Sequence, residues 1–283
     1  MEEVNTRGAR LETPEELREA LHEISQWEKD QKHLMIWERF TRLPFKILDK
    51  LTPRVVHEAL GKLLDEIGGF IQNGGNYLVA GRKVGEMIEE ASREAGGTGA
   101  GPYPLAVMDE AALRLSKSRS NYAMAQGATT GIGGMFTLAA DIPAVLGLSL
   151  KAIQEIGLCY GYNPLDKEER IFAVKVMQVA SAETASRQAI LEELDAEMGI
   201  GGELGGGEGA AVSKIQGWRE VIASYRDSWS SKKLLQVIPV AGMFFGAYTN
   251  REMLKSVTET AMMLYRKRRI LARLAKEEPS PKG

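Results

Sequence analysis

The feature that most constrains the fold is a long uncharged stretch in the middle of the chain. Residues 121–140 carry no charge, and Asp141 is the only charged residue before Lys151. As a helix, these 20 residues would rise about 30 Å, the thickness of a bilayer core. Their Asn, Gln, Thr and Gly content and a mean hydropathy of −0.21 for the chain argue against a membrane span. Because Pro143 disfavours helix at the preceding residue, we expect two closely packed half-length helices that meet near Asp141.

A second uncharged run covers residues 234–250 and contains Pro239. Glycines four residues apart share one helix face and let another backbone approach closely. Both runs contain such a pair, so we expect the two runs to pack together in the core, with Gly242 and Gly246 facing Gly127 and Gly131.

Asp141 and Pro143 have two interpretations. Asp is a common N-cap and Pro a common first-turn residue, so the pair favours the start of a helix. The alternative is a functional carboxylate at membrane depth, and such carboxylates are rare. We favour the first interpretation.

The remaining pattern predicts an all-α protein with one multi-helix domain and a glycine-rich apolar helical core. Thr13, Pro14 and Glu16 form a capping box that starts the first helix, and no segment alternates as a strand would. Residues 1–24 are expected to be an N-terminal extension and first helix, 25–273 the helical domain, 199–210 a flexible glycine-rich loop and 274–283 a disordered tail. Further helices are expected over residues 33–40, 53–67, 77–94, 105–116, 121–140, 142–160, 166–198 and 212–225, with a final helix to about 276.

Composition excludes several classes of function. The 36 basic and 38 acidic residues leave no basic field for nucleic acid. Cys159 is the only cysteine, which excludes an internal disulfide and two-cysteine zinc sites. We interpret it as a buried small hydrophobe. The N-terminus shows no apolar signal segment, so a cytoplasmic location is expected.

No catalytic, metal-binding or cofactor-binding residues are predicted. The three histidines, His22, His33 and His57, lack the second histidine of an H-E-x-x-H motif. The glycines at 127–134 lack the lysine of a phosphate loop, and GATTG lacks both the serine and the preceding strand of a nucleophile elbow. A hydrolase is therefore the least favoured class.

A basic cluster follows an apolar segment near the C-terminus. Arg266, Lys267, Arg268 and Arg269 lie on a predicted amphipathic helix, the arrangement that binds anionic lipid headgroups. The alternative is a solvated helix end whose cations complement the macrodipole. Both interpretations stay open.

Met243, Phe244 and Phe245 are the predicted lipid-contact residues of the second uncharged run. If they are exposed, a lipid-handling protein is favoured, and if they are buried, a soluble scaffold is favoured. The first hypothesis is a non-enzymatic, membrane-associated protein, peripheral at the inner face of the membrane. The second is a soluble regulator whose partner binds near Trp27 and Trp37.

Several blocks resemble one known family. ADIPAVLGLSLKAIQEIGLCYGYNP, VIPVAGMFFGAYTN and AMMLYRKRRIL are similar to the signature blocks of the EcsC family, and ISQWEKDQ and LTPRVVHEALGKLL are similar to its N-terminal region. The resemblance covers residues 24–271. It implies no catalytic residues and an unestablished biochemical role. It further implies a link to ABC transporter components and, through lipid-recognition modules joined to this domain elsewhere, membrane-linked work.

Overall fold

The computed structural model describes residues 10–30, 79–131, 135–182, 184–198 and 239–277. Over these ranges the chain is an all-α single domain, as predicted. The helices predicted over 33–40, 53–67 and 212–225 and the loop predicted over 199–210 lie outside the described residues. The helices are α1 (Pro14–Asp30), α2 (Gly81–Glu94), α3 (Leu105–Gly131), α4 (Met135–Cys159), α5 (Lys167–Ser181), α6 (Thr184–Glu197) and α7 (Pro239–Glu277).

The capping box predicted at the start of α1 is confirmed. The Thr13 amide donates to the Glu16 carboxylate at 2.9 Å, and the Glu16 amide donates to the Thr13 hydroxyl at 3.3 Å. Leu17 and Ile24 lie seven residues apart on one face and are buried in the core. The first helix is thus defined by local sequence and oriented by its apolar stripe.

Helix α7 is the central element, and α1, α3, α4 and α5 all pack against it. It runs antiparallel to α3, because the Ser116 and Thr258 hydroxyls lie 2.6 Å apart while Asp109 near the start of α3 pairs with Arg266 further along α7 at 3.0 Å. α4 is also antiparallel to α3. The end of α3 therefore lies beside the starts of both α4 and α7.

Continuing this register along the two helices at about 1.5 Å per residue brings the predicted glycine pairs to one level. Gly131 lies level with residue 243 and Gly127 with residue 247, close to Gly242 and Gly246 along the axis. The packing surroundings of residues 129–146 and 239–249 are not described, so the direct packing of the two glycine pairs stays a prediction.

Two expected helix breaks are wrong. α3 is continuous over residues 105–131, whereas we expected a break at 117–120, and α4 is continuous through Asp141 and Pro143. Asp141 is therefore not an N-cap, and Pro143 is not in the first turn. A proline inside a helix costs about 3 kcal/mol, and packing of α4 against α3 and α7 outweighs this local preference.

The later helices also differ from the expected bounds. The single helix expected over 166–198 is two helices, because Ala182 has extended backbone after α5. Pro239 is the first residue of α7, as its missing N–H favours. α7 continues to Glu277, so residues 274–277 belong to the helix and not to the tail.

Candidate functional site

Two stretches far apart in sequence meet at one end of the bundle. They are the end of α4 with its following turn, residues 157–164, and residues 265–269 of α7. α4 ends in a Schellman motif, in which the Tyr162 amide bonds the Gly157 carbonyl at 2.9 Å and Gly161 adopts φ +81°. A Cβ on Gly157 would lie 2.8 Å from Cζ of Tyr265. Glycine is therefore needed at position 161 for the left-handed turn and at position 157 for the close approach of the Tyr265 ring.

Arg268 lies at the centre of an aromatic cluster. Its guanidinium lies 4.2 Å from the ring centre of Tyr162 and 4.0 Å from that of Phe172, and both rings contact Tyr265. Glu169 accepts two hydrogen bonds from it, at 2.8 and 2.6 Å. Burial alone would lower the pKa of Arg268, but the Glu169 carboxylate raises it above its ordinary value. The cation is held by charge, hydrogen bonds and ring faces together.

Lys267 joins three helices at a buried position. Its ammonium donates to Glu28 of α1 at 2.7 Å and to Asp195 of α6 at 2.5 Å, and the residue is only 2% exposed. Burial raises the pKa of Glu28, although Lys267 opposes the shift. Two carboxylates thus share one buried ammonium, which ties α1 and α6 to α7.

Arg266 lines a shallow pocket of about 300 Å³ between α3 and α7. It pairs with Asp109 and with Glu23 of α1, each at 3.0 Å. The Tyr160 hydroxyl donates to the other oxygen of Asp109 at 2.6 Å. Burial raises the pKa of Asp109, with Arg266 opposing, and burial and the Asp109 charge raise that of Tyr160 well above its usual value.

Arg269 differs from the three cations before it. Among the described residues it has no carboxylate within ion-pair distance, and its Nε is buried without an acceptor. Arg273, one turn further along α7, pairs with Glu12 and donates to the Tyr103 carbonyl at 2.5 Å.

One further buried ion pair lies nearer the middle of the bundle. Glu155 of α4 is fully buried and accepts two bonds from Arg119 of α3, at 2.7 and 2.8 Å. It also accepts the Ala80 amide ahead of α2 at 3.1 Å. This carboxylate therefore positions α2 and α3 against α4.

The side chains described above are better suited to binding charged groups than to acting as a nucleophile. Cys159 is buried, as predicted, and burial raises its pKa to about 12. The thiol is therefore protonated at neutral pH and is a poor nucleophile. Within the described ranges, no group of three His, Cys, Asp or Glu residues is placed to hold a metal ion.

A model of the EcsC protein family matches residues 18–270, which is most of the chain. The chain belongs to the EcsC family. It is 49% identical over 281 residues to a Bacillus subtilis (strain 168) protein named uncharacterized protein YdbA, covering 94% of this chain and 97% of YdbA. It is 29% identical over 161 residues to Protein EcsC of the same organism, covering 57% of this chain and 63% of that protein. No solved structure matches the chain.

The residues of this EcsC family chain that we singled out from sequence separate into two places. Arg266, Lys267 and Arg268 pair with carboxylates inside the fold and do not form an open basic face. We call the end of the bundle where they meet residues 157–164 the ion-paired end. The other residues lie along the axis near the opposite end, and they are Gly127, Gly131, Asp141, Pro143, Pro239, Gly242, Met243, Phe244, Phe245 and Gly246. Apart from Gly127, which is buried, their side-chain surroundings lie outside the described part of the chain.

At that opposite end, three helix segments of the EcsC domain carry almost no charge. We call residues 120–131 of α3, 135–150 of α4 and 239–250 of α7 the uncharged end, in which Asp141 is the one charged residue. Its described part includes two exposed large side chains, Tyr122 at 60% and Met124 at 41% exposure. The antiparallel register therefore brings the described parts of both uncharged runs to one end of the described helical bundle.

Sequence reasoning missed the acidic half of the ion-paired end. Asp109, Glu169 and Asp195 each follow or precede helical residues of ordinary composition, and nothing in their spacing marks them. The one available signal was the basic cluster itself: four consecutive cations on a helix with apolar neighbours need partners if that helix is central.

Proposed function

We propose that this EcsC family protein is a non-enzymatic, membrane-peripheral protein that contacts lipid through its uncharged end. The observation that supports the proposal is the meeting of three chain-distant uncharged segments at one end of α3, α4 and α7, with Tyr122 and Met124 exposed there. A continuous exposed apolar surface is typical of a membrane or protein contact, and we propose that these three segments together form one. Met243, Phe244 and Phe245 belong to its α7 segment and are the proposed lipid contacts of that helix.

The dimensions favour shallow insertion. The uncharged segments of α3 and α7 have 12 residues each, or about 18 Å of helix, close to half of a hydrocarbon core of about 30 Å. Among the described residues, no helix combines the length and apolar character needed to cross a bilayer. Contact with one leaflet fits these lengths.

The position of the cations determines which interaction we expect to drive membrane binding. Lys267 and Arg268 are paired with carboxylates inside the fold, and they lie at the far end of α7 from the uncharged end. We therefore expect burial of apolar side chains to drive binding, at about 1.5–3 kcal/mol for each large side chain. Such binding depends little on salt or on anionic lipid.

Flotation with liposomes tests this function. The protein is mixed with neutral vesicles or with vesicles containing anionic lipid, at low and high salt, and the floated fraction is measured. We expect salt-resistant flotation with both vesicle types. Met124→Glu should reduce the partition coefficient tenfold or more, since a charge replaces an apolar side chain worth more than about 1.4 kcal/mol.

Leu165→Glu is the matched control. Leu165 is 52% exposed but lies in the turn after α4, at the ion-paired end, so this variant should float like the wild type. Binding that needs anionic lipid and disappears at high salt would instead assign the contact to cations. If no vesicle binds, the uncharged end is better explained as a docking surface for another protein, such as a transporter component.

A further inference from the structure

The first charged residue beyond the uncharged end is basic on each of its three helices. It is Arg119 on α3, Lys151 on α4 and Arg251 on α7. These residues are far apart in sequence, so local composition does not account for their common sign. The agreement indicates a basic border between the uncharged end and the rest of the bundle.

The register of α3 and α7 places the cations of these two helices at one level. The Ser116 and Thr258 hydroxyls lie 2.6 Å apart, and the two helices run antiparallel. Lys255 and Arg251 are therefore level with the stretch 119–123 of α3. This stretch borders and enters the uncharged segment of that helix.

Glu155 places α2 and α4 at the same level. This buried carboxylate accepts two bonds from Arg119, at 2.7 and 2.8 Å, and one from the Ala80 amide at 3.1 Å. Lys151 lies 3.9 Å from it, so one carboxylate serves two cations. Because α2 begins directly after Ala80, the start of α2 also lies at this border.

Five cations at the border are exposed to solvent. We call them the basic band, and they are Arg82 and Lys83 of α2, Lys117 of α3, and Arg251 and Lys255 of α7. Among the described residues, Arg82 is the one member with a carboxylate within ion-pair distance, Glu86 at 3.7 Å. Glu252 is half-buried. Most of the positive charge of the band is therefore available to an anionic partner.

The position of the basic band suits the headgroup layer of a bilayer. The band covers the levels of residues 117–123 of α3, about 9 Å of helix axis, and the headgroup layer of each leaflet is about 5–7 Å thick. Long basic side chains at the border of an inserted apolar segment reach the lipid phosphates. Cations spread at one level over three helices match a flat leaflet, whereas a small soluble anion would need them to converge on one point.

We propose that the basic band binds the phosphate groups of anionic phospholipids when the uncharged end enters the membrane. The inference rests on the proposed function and names the lipid class that the protein prefers. The apolar contact alone binds neutral and anionic membranes alike, and the band adds a preference to it. One cation near an anionic surface raises the partition coefficient about fivefold. Because Glu86 and Glu252 offset part of the charge, we expect a preference of about tenfold for the whole band.

Partition coefficients measured at low lipid concentration test the preference. Vesicles of phosphatidylcholine are compared with vesicles of equal parts phosphatidylcholine and phosphatidylglycerol. The salt concentrations are about 0.1 M and about 1 M, at which the Debye length is about 10 Å and about 3 Å. The wild type should bind both vesicle types, with about a tenfold preference for the anionic vesicles at the lower salt and almost none at the higher salt.

Two variants with the same loss of charge locate the preference. Arg251→Gln/Lys255→Gln removes two cations of the band that lie one turn apart on α7, and it should lose most of the preference while binding phosphatidylcholine vesicles like the wild type. Arg18→Gln/Lys276→Gln removes two exposed cations far from the uncharged end and should keep the preference. Circular dichroism and the Tm check the fold of each variant.

Binding to phosphatidylcholine with no preference for anionic vesicles would overturn the role of the basic band and leave the proposed function standing. A preference that the Arg251→Gln/Lys255→Gln variant keeps, or that both variants lose equally, would overturn it as well, because net charge would then be the cause. If no vesicle binds, the proposed function fails and the inference fails with it. Because the wild-type comparison alone can reject the band, a variant that folds poorly does not leave the inference untested.

Discussion

At the scale of single residues, the ion-paired end is stabilised by cations whose carboxylate partners cannot be removed without a large loss of stability. Arg268 and Glu169 are both largely withdrawn from solvent, at 20% and 10% side-chain exposure. Removing one member of such a pair leaves a buried charge whose desolvation penalty is no longer offset by attraction to its partner. Exposed pairs such as Glu15 with Arg18 have no comparable cost.

Glu169→Gln should therefore lower the free energy of unfolding by about 3 kcal/mol. Glu15→Gln, at a position that is 80% exposed, should change it by less than about 0.5 kcal/mol. Urea denaturation of the three proteins at neutral pH measures both effects. Equal stabilities would mean that the guanidinium is held by the rings of Tyr162 and Phe172 alone.

Glu28 predicts a pH dependence whose sign follows from its burial. Burial raises its pKa above the ordinary value of 4.5, so the folded protein binds this proton more tightly than the unfolded chain does. The stability contributed by Glu28 therefore rises as the pH falls from neutral through the raised pKa. The rise levels off below about pH 4.5, the ordinary pKa, as the unfolded chain also becomes protonated.

The measurement is urea denaturation from pH 7.5 to 4.5 on the wild type and on Glu28→Gln, which cannot titrate at this position. The unfolding free energy of the wild type minus that of the variant should increase as the pH falls. All other groups are shared, so their contributions largely cancel. A difference that stays flat or decreases would show that Lys267 outweighs burial at this carboxyl.

At the scale of elements, α4 contains two glycines with opposite surroundings. Gly157 lies against the ring of Tyr265, whereas a Cβ on Gly147 would meet no atom of the described residues within 4 Å. Alanine is the better helix former at both positions, by about 1 kcal/mol. At Gly157, steric conflict with Tyr265 turns the expected gain in stability into a loss.

Gly157→Ala should destabilise the protein by about 1–3 kcal/mol, because the new methyl group displaces the Tyr265 ring. Gly147→Ala should stabilise it by about 0.5–1 kcal/mol through helix propensity. Thermal and urea unfolding of the two variants check the contrast. If both variants gained stability, the approach of α4 to α7 would have to be looser than the structure shows.

Elements whose causes are local were predictable from sequence, and those with distant causes were not. Thr13 and Glu16 cap α1 through bonds three residues apart, so their spacing was sufficient. Pro143 was misread because packing from other helices keeps α4 intact. Glu169 lies 99 residues from Arg268, and no pattern along the chain relates them. The four consecutive cations were predicted as one cluster. Whether they face solvent or the inside of the fold depends on the central position of α7, which the sequence pattern does not indicate.

At the scale of the whole molecule, the described helices form a bundle with two chemically different ends. Ion pairs join α1, α5 and α6 to α7 at one end, while the segments of α3, α4 and α7 at the other end have Asp141 as their one charge. If the uncharged end contacts lipid, as we propose, the protein should take a preferred orientation at an interface between water and lipid.

Site-specific labelling tests that orientation. Tyr122→Cys and Leu165→Cys replace exposed residues at the two ends, and Cys159 is buried with a raised pKa, so it should not react in the native protein. An environment-sensitive fluorophore at position 122 should shift to the blue on addition of neutral vesicles, and one at 165 should not. A shift at position 165 alone would reverse the orientation.

The central position of α7 has a consequence for how the chain is made. The helix against which α1, α3, α4 and α5 pack follows all the other described helices in the chain and is synthesised after them. Until it leaves the ribosome, the apolar faces of the earlier helices lack their common partner, and the carboxylates of Glu28, Asp109 and Glu169 lack their cations. The core therefore closes only once α7 has been synthesised, through contacts of high sequence separation that form slowly. During synthesis the nascent chain presents surfaces of the kind that chaperones bind.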